Sequence, residues 1–186
     1  MEIALVREEV KKIFFEQFDK FTVGLQPTQL NQISLNSFEE KYNLKITESV
    51  IEWLNFSNGS FAGQGGIFGL NNEPDFLNLE TYYDLYPEWI KLRWLPIAGD
   101  GCGNYYIINI NHASIFKDYI FFIDTSNSIE TFTYVVASNI WYFLYFIIKS
   151  EKKEIEWPFN KKEVLNIDPY LSVSAYSFLP WNSRLH

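Results

Sequence analysis

The sequence contains only one cysteine, Cys102, and two histidines. A lone cysteine cannot form a disulfide within the chain, and it cannot supply a cysteine-rich zinc site. His112 has no partner ligands of the required type beside it in the sequence, which argues against a histidine metal centre. The scarcity of cysteine suits a protein of a reducing compartment.

Basic residues are also scarce, since the chain has 15 Lys and Arg against 23 Asp and Glu and a formal net charge of −8. Proteins that bind nucleic acid need a cationic surface to release counterions from the phosphates. The charge balance therefore argues against direct binding of DNA or RNA. An acidic surface favours docking onto a basic partner, although in many proteins it only aids solubility.

An apolar stretch long enough to cross a membrane is missing. The residues from Ile140 to Ile148 include no polar break, but extending the stretch back to Tyr134 meets Ser138 and Asn139. A transmembrane helix needs about 20 apolar residues, so this stretch predicts a helix that is buried on most sides. Residues 1–9 lack the basic and apolar regions of a signal peptide, which predicts a cytoplasmic protein with no membrane contact.

Aromatic residues, by contrast, make up 19% of the chain. Buried rings remove large apolar areas from water, so we expect an aromatic-rich core in a single domain over residues 1–154. Residues 155–186 combine prolines with rings such as Trp157 and Trp181. A disordered tail would carry few aromatic residues, so this C-terminal extension is expected to pack on the same domain.

Apolar residues that recur every three or four positions predict several helices. The predicted helices cover residues 4–20, 37–42, 47–55, 77–86 and 138–149. Ser37 and Glu40 have the spacing of a capping box, which would start the second helix. Thr47 and Ser138 are the predicted N-caps of the third and the last helix.

Short runs of β-branched and aromatic residues predict strands. The predicted strands cover residues 67–70, 94–98, 105–110, 120–124 and 132–136. Residues 99–104 form a tight turn that joins two of these strands into a hairpin, and Pro96 favours either an edge position or a place near the start of the strand for the first of the two. Helices followed by several strands and a final helix predict an α+β fold.

Three patterns were candidates for a catalytic site. Cys102 and His112 could form a nucleophile pair if one hairpin brought them together, but the sequence favours a turn residue and a loop residue. The glycine-rich residues 99–103 precede a strand, whereas a phosphate-binding loop of this kind precedes a helix. Asp100 and Asp124 are the best-placed carboxylates, and turn hydrogen bonding explains both. No catalytic, cofactor-binding or metal-binding residue is therefore assigned.

The order of the sequence blocks is distinctive. The blocks are Thr47 to Gly59, Ile67 to Leu70, Trp94 to Tyr106, Ile120 to Asp124 and Ala137 to Leu144. The most specific block runs from Leu95 to Tyr106, where a strand enters a Gly-Asp-Gly-x-Gly-Asn turn and leaves through two tyrosines. Over about residues 38–149 the chain resembles the SMI1/KNR4 family of the SUKH superfamily.

The resemblance implies helices packed on a largely antiparallel sheet and a function in protein binding. Many bacterial members resemble immunity proteins that neutralise a cognate toxin by direct complex formation, and the toxin is often a nuclease or another nucleic-acid-modifying enzyme. The alternative is a regulatory or scaffolding module in cell-envelope synthesis or signalling, as in fungal relatives. Neither function needs a cofactor. The candidate partner-binding residues are Asn58 and Gly59, the loop 60–66, and Asp100 with Asn104.

Overall fold

A computed structural model describes residues 1–22 and 32–182, and these residues form an α+β fold. Within them, four strands form one antiparallel sheet, and helices pack against it. The predicted fold class is confirmed.

Helices precede and follow the strands along the chain. The described helices are α1 (Ile3–Glu16), α2 (Phe18–Phe21), α3 (Gln32–Tyr42), α4 (Glu48–Phe56), α5 (Leu79–Leu85), α6 (Glu88–Leu92), α7 (Ile140–Glu151), α8 (Lys161–Ile167) and α9 (Leu171–Ser174). Short 3-10 turns occupy Asp75–Leu77 and Tyr176–Phe178.

The sheet follows the order of the chain. Its strands are β1 (Trp94–Gly99), β2 (Tyr105–Asn109), β3 (Ile120–Ile123) and β4 (Tyr134–Ala137). Each strand pairs antiparallel with the next, which puts β1 with its Pro96 at one end of the strand order, one of the two positions that the proline favours. The β1–β2 turn and the β3–β4 connection therefore lie at the same end of the sheet.

Helix α7 lies at the centre of the core. Every residue from Ile140 to Ile148 is buried, which confirms the predicted burial of this stretch. The Trp141 ring centroid lies 6.2 Å from that of Trp53 in α4, and Trp53 lies 5.2 Å from Phe14 in α1. Aromatic packing therefore holds α1 and α4 against α7. In residues 1–22 and 32–182, no helix combines the length and the apolar character that a membrane crossing requires.

The predicted start of α3 at Ser37 is wrong. The helix begins at Gln32, and Ser37 is an exposed residue in its interior. Leu35 and Phe38 are both buried, so the apolar face of the helix extends on both sides of Ser37. Burial of that face outweighs the local capping signal.

The predicted cap of α7 is wrong by one residue. Asn139 is the N-cap, and its side chain accepts a hydrogen bond of 2.9 Å from the Trp141 N–H. The Ser138 hydroxyl instead donates to the buried carboxylate of Asp168. Thr47 precedes α4 as predicted, but its side chain makes no capping hydrogen bond.

Residues 67–70 do not form the predicted strand. The Phe68 N–H donates to Ile97 O in β1, whereas Gly69 exchanges hydrogen bonds with Leu77 and Leu79. The segment makes hydrogen bonds to β1 on one side and to residues 77–79 on the other, and it forms only isolated β-bridges. The predicted helix 77–86 corresponds to α5, and α6 was not predicted.

The C-terminal extension contacts the rest of the fold as far as it is described, to residue 182. Its Trp157 Nε1 donates to Val136 O in β4 at 3.2 Å. Leu171 and Leu179 are fully buried. These contacts support the proposal that the extension is part of the same domain.

Candidate functional site

The β1–β2 turn, residues 99–104, is closed by the side chain of Asp100. Asp100 Oδ1 accepts from the N–H groups of Cys102 and Asn104, at 2.7 and 3.0 Å. Asp100 Oδ2 accepts from Asn104 Nδ2 at 2.8 Å. Gly101 and Gly103 have φ of +79° and +96°, which a residue with a Cβ rarely adopts. The glycines therefore allow the turn, and Asp100 fixes its shape.

The turn is tied to the β3–β4 loop, residues 124–133. The Thr125 hydroxyl donates to Gly103 O at 2.9 Å, and the Thr125 N–H donates to Asn104 Oδ1 at 3.2 Å. Asp124 accepts from the Ser126 hydroxyl and from Asn127 Nδ2 within its own loop. The carboxylates of Asp100 and Asp124 thus both organise turns, as their sequence context predicted.

The segment 71–90, which contains α5 and the start of α6, joins the same end of the sheet. Trp89 Nε1 donates to Ile129 O of the β3–β4 loop at 2.7 Å. The Tyr105 ring, at the start of β2, lies 5.1 Å from Tyr82 and 5.5 Å from Tyr86. Burial, aided by a hydrogen bond with Tyr86, raises the pKa of Tyr105 well above its usual range, so this hydroxyl stays neutral.

The loop 60–66, called the glycine loop below, packs on the β1–β2 turn. A Cβ on Gly65 would lie 2.4 Å from the carbonyl carbon of Gly99 and 2.7 Å from the Gly101 N, so only glycine fits this contact. Phe61 of the same loop lies 6.0 Å from Phe76, measured between ring centroids. The glycine loop therefore links the turn to the segment 71–90.

Asn58 and Gly59 support the base of the glycine loop from inside. Asn58 Oδ1 accepts from the Leu70 N–H, and its Nδ2 donates to Leu70 O, both at 2.7 Å. Gly59 is buried with φ of +91°, and a Cβ there would lie 2.1 Å from Asn72 Nδ2. Asp100 and Asn104 lie beside the other end of the loop. The partner-binding role of all four residues stays a prediction, and the contacts give each of them a structural role.

Acidic residues are concentrated at this end of the sheet, and the sequence alone singled out only Asp100 and Asp124 among them. The segment 71–90, the β1–β2 turn and the β3–β4 loop hold eight acidic residues and no basic residue, and Lys91 of α6 is the next residue along the chain. They are Glu73, Asp75, Glu80, Asp84, Glu88, Asp100, Asp124 and Glu130. The rest of the chain has 15 acidic and 15 basic residues, so these three segments, called the acidic end below, account for the whole net charge.

Five carboxylates of the acidic end make no ion pair with any residue in the described ranges 1–22 and 32–182. They are Glu73, Asp75, Asp84, Glu88 and Glu130. Of the other three, Glu80 forms an ion pair with Lys41 at 2.8 Å. Asp100 and Asp124 accept hydrogen bonds that close their own turns. Local charge counts in the sequence would have identified this feature, but only the sheet topology shows that the segments meet.

The residues considered for catalysis are separated. Cys102 is exposed in the β1–β2 turn, whereas His112 follows the other end of β2 and is also exposed. The strand between them keeps the two side chains at opposite ends of the sheet. Within the described part of the chain, no group of three His, Cys, Asp or Glu residues could hold a metal ion. The second histidine, His186, lies outside the described residues.

Replacing Asp100 by alanine should lower the free energy of unfolding by about 1–2 kcal/mol, because three donors of the turn lose their acceptor but regain water. Asp100→Asn keeps one acceptor oxygen and should lose less than half as much. Urea unfolding followed by circular dichroism measures both values. An alanine variant as stable as the wild type would show that the glycines alone determine the turn.

Comparison with known proteins identifies one family. The model of the SMI1 / KNR4 family (SUKH-1) matches residues 29–145. No curated protein and no solved structure matches the chain. The matched range includes the whole sheet and the acidic end, and it stops before the C-terminal extension.

Proposed function

Because the chain belongs to the SMI1/KNR4 family (SUKH-1), we propose that it is an immunity protein that neutralises a cognate toxin by direct complex formation. The family match is the observation that carries this proposal. The matched range covers the residues that build the sheet, together with the β1–β2 turn and the β3–β4 loop. The sequence resemblance to this family is confirmed, and the toxin itself is part of the proposal.

The proposed action is binding rather than catalysis, without a cofactor. Asp100 and Asp124 organise turns, and Cys102 and His112 lie apart. A protein inhibitor needs only a surface complementary to its target, so these residues are not required to act chemically. The acidic end would also repel the phosphates of nucleic acid, which supports a protein as the direct partner.

A toxin that acts on nucleic acid fits the charge of this chain. Such an enzyme needs a basic surface for its anionic substrate, and an acidic inhibitor would be attracted to that surface. We propose that the complex forms in the cytoplasm, where a nuclease toxin would meet its substrate. Covering the basic surface would block substrate binding without any change to the toxin.

Co-expression with the toxin encoded beside this gene tests the proposal. Cells that produce the toxin alone should stop growing, and cells that also produce this chain should grow as cells with a catalytically inactive toxin do. The purified proteins should elute together on size-exclusion chromatography. Failure of both rescue and co-elution would contradict the immunity function. Recovery of envelope-synthesis or signalling proteins instead would favour the regulatory module.

A further inference from the structure

The outer face of the turn Asp75–Leu77 and of α5 carries large apolar side chains that are half or more exposed, although the Phe76 ring lies 6.0 Å from the Phe61 ring. Phe76 is 51% exposed and Leu85 is 58% exposed. Leu79 and Tyr83, on the opposite face of α5, are 1% exposed. The helix therefore presents one apolar side to the core and a second apolar site to solvent.

The geometry points to this face, with the surrounding carboxylates, as the surface on which a basic protein docks. The inference rests on the proposed immunity function, because it assigns the toxin-binding surface of the same protein. The partner it requires is a protein that presents Lys and Arg around an apolar site. We define the α5 face as Phe76, Leu85 and the five carboxylates that make no ion pair among the described residues.

Two side chains of α5 hold the backbone of the turn Asp75–Leu77 in place. The Thr81 hydroxyl donates to Asp75 O at 2.9 Å, and the Tyr82 hydroxyl donates to Phe76 O at 2.7 Å. These bonds fix the exposed turn to α5. A surface whose groups are already ordered loses less conformational entropy on binding, which favours affinity.

Half-buried aromatic rings lie beside the exposed apolar residues. Tyr82 stacks on Phe68 with centroids 4.1 Å apart, and Tyr105 packs against Tyr82 and Tyr86. Each tyrosine is only partly buried. Tyrosine is enriched in the energetically important centres of protein interfaces, because its ring gives area and its hydroxyl can hydrogen-bond.

The charge of the α5 face selects a basic partner. Asp84 and Glu88 lie on the same segment as Leu85, and Glu130 is in the loop whose Ile129 accepts from Trp89. Because the rest of the chain has equal numbers of acidic and basic residues, the negative potential is directed outward from this end. Such a field speeds the approach of a cationic protein and opposes an anionic one.

The same charge argues against other occupants. A second copy of this chain would bring acidic residues against acidic residues, which repel each other. A divalent cation lacks a site, because the residues described in the structure contain no group of three suitable ligands. A basic protein matches both the apolar and the charged part of the surface.

Neutralising three carboxylates tests the electrostatic contribution to docking at the α5 face. The test variant is Asp84→Asn, Glu88→Gln, Glu130→Gln, and the matched control is Asp19→Asn, Glu48→Gln, Glu2→Gln. Both remove three negative charges, and the control positions are exposed residues away from the α5 face. Stopped-flow association with the purified toxin at low salt should slow by about tenfold in the test variant. The association rate of the control variant should stay within about twofold of the wild-type rate. Only the test variant should lose much of the dependence of this rate on salt concentration.

Removing the exposed apolar side chains tests the apolar contribution to docking at the α5 face. The double variant Phe76→Ala, Leu85→Ala should weaken toxin binding by about 100-fold, mainly through faster dissociation. The control Phe15→Ala, Val173→Ala removes side chains that are 85% and 80% exposed on other helices, and its Kd should stay within about threefold of the wild-type value. Isothermal titration calorimetry gives the affinities, and circular dichroism shows that each variant is folded.

The results separate this inference from the proposed function. Weakening by both test variants, with both controls unaffected, supports docking at the α5 face. Wild-type binding by both test variants, or an equal loss in the controls, overturns the inference while the wild-type complex still supports the immunity function. A wild-type protein that neither binds nor neutralises the toxin overturns the proposed function and this inference with it.

Discussion

Replacing Trp141 by alanine should lower the free energy of unfolding by about 4 kcal/mol, because large cavities in a packed core are expensive. Trp141 is 1% exposed and lies against Trp53 of α4. Its Nε1 also donates to Glu52 at 3.2 Å, so α4 loses both an aromatic and a polar contact with α7. Urea denaturation followed by tryptophan fluorescence and by circular dichroism measures the change.

The matched control for this variant is Phe15→Ala in α1. Phe15 is 85% exposed, so its removal should change the free energy of unfolding by less than about 0.5 kcal/mol. If the two variants proved equally stable, the junction of α1, α4 and α7 would not be the centre of the core. A loss confined to the near-ultraviolet signal would show local repacking instead of a cavity.

The sequence predicted the parts of the fold in which local and tertiary preferences agree. The strands β1 to β4 and the buried α7 each combine an apolar pattern with nearby turn residues, and they lie close to the predicted positions. Ser37 shows the opposite case. Its capping signal is local, whereas Phe38 is buried against Tyr83 of α5, whose ring stacks on the Phe38 ring. Contacts distant in sequence decided that helix boundary.

The candidate site was predicted only in part, for a similar reason. The Gly-Asp-Gly-x-Gly-Asn pattern identified the β1–β2 turn, because the chain conformation there depends on adjacent residues. The α5 face depends on three segments that meet only in the folded sheet. Charge in each segment is visible in the sequence, but their adjacency follows from the Trp89–Ile129 and Thr125–Gly103 hydrogen bonds.

A buried carboxylate joins the C-terminal extension to the sheet. Asp168 is fully buried, and its oxygens accept from the Ser138 N–H and from the Ser138 hydroxyl, both at 2.7 Å. Burial raises the pKa of Asp168 to about 6, although hydrogen bonds from Ser138 and from the Tyr170 N–H oppose the change. Desolvation of the charged form therefore outweighs the hydrogen bonds that favour it.

Replacing Asp168 by alanine should lower the free energy of unfolding by about 4 kcal/mol near pH 4.5, because buried donors of Ser138 and Tyr170 lose their acceptor. The loss should shrink as pH rises. An acid whose pKa is raised by folding stabilises the native state most below its unfolded pKa, near 4, and this contribution disappears as pH rises through about 6. Because the roughly 1.5 pH units between pH 4.5 and the folded pKa of about 6 correspond to about 2 kcal/mol, the difference between wild type and variant should fall by roughly that amount by pH 8.

Urea unfolding of both proteins at several pH values from 4.5 to 8 measures this trend, since the effects of all other carboxylates cancel in the difference. Asp168→Asn provides the control, because it keeps one acceptor oxygen and cannot ionise. Its deficit should be smaller than that of alanine at pH 4.5, and it should decrease in parallel with rising pH. A difference that stays constant with pH would mean that Asp168 titrates in the folded protein as it does in the unfolded chain. That result would contradict a dry contact between the extension and the sheet, because a carboxylate open to water has no reason to hold its proton at pH 5.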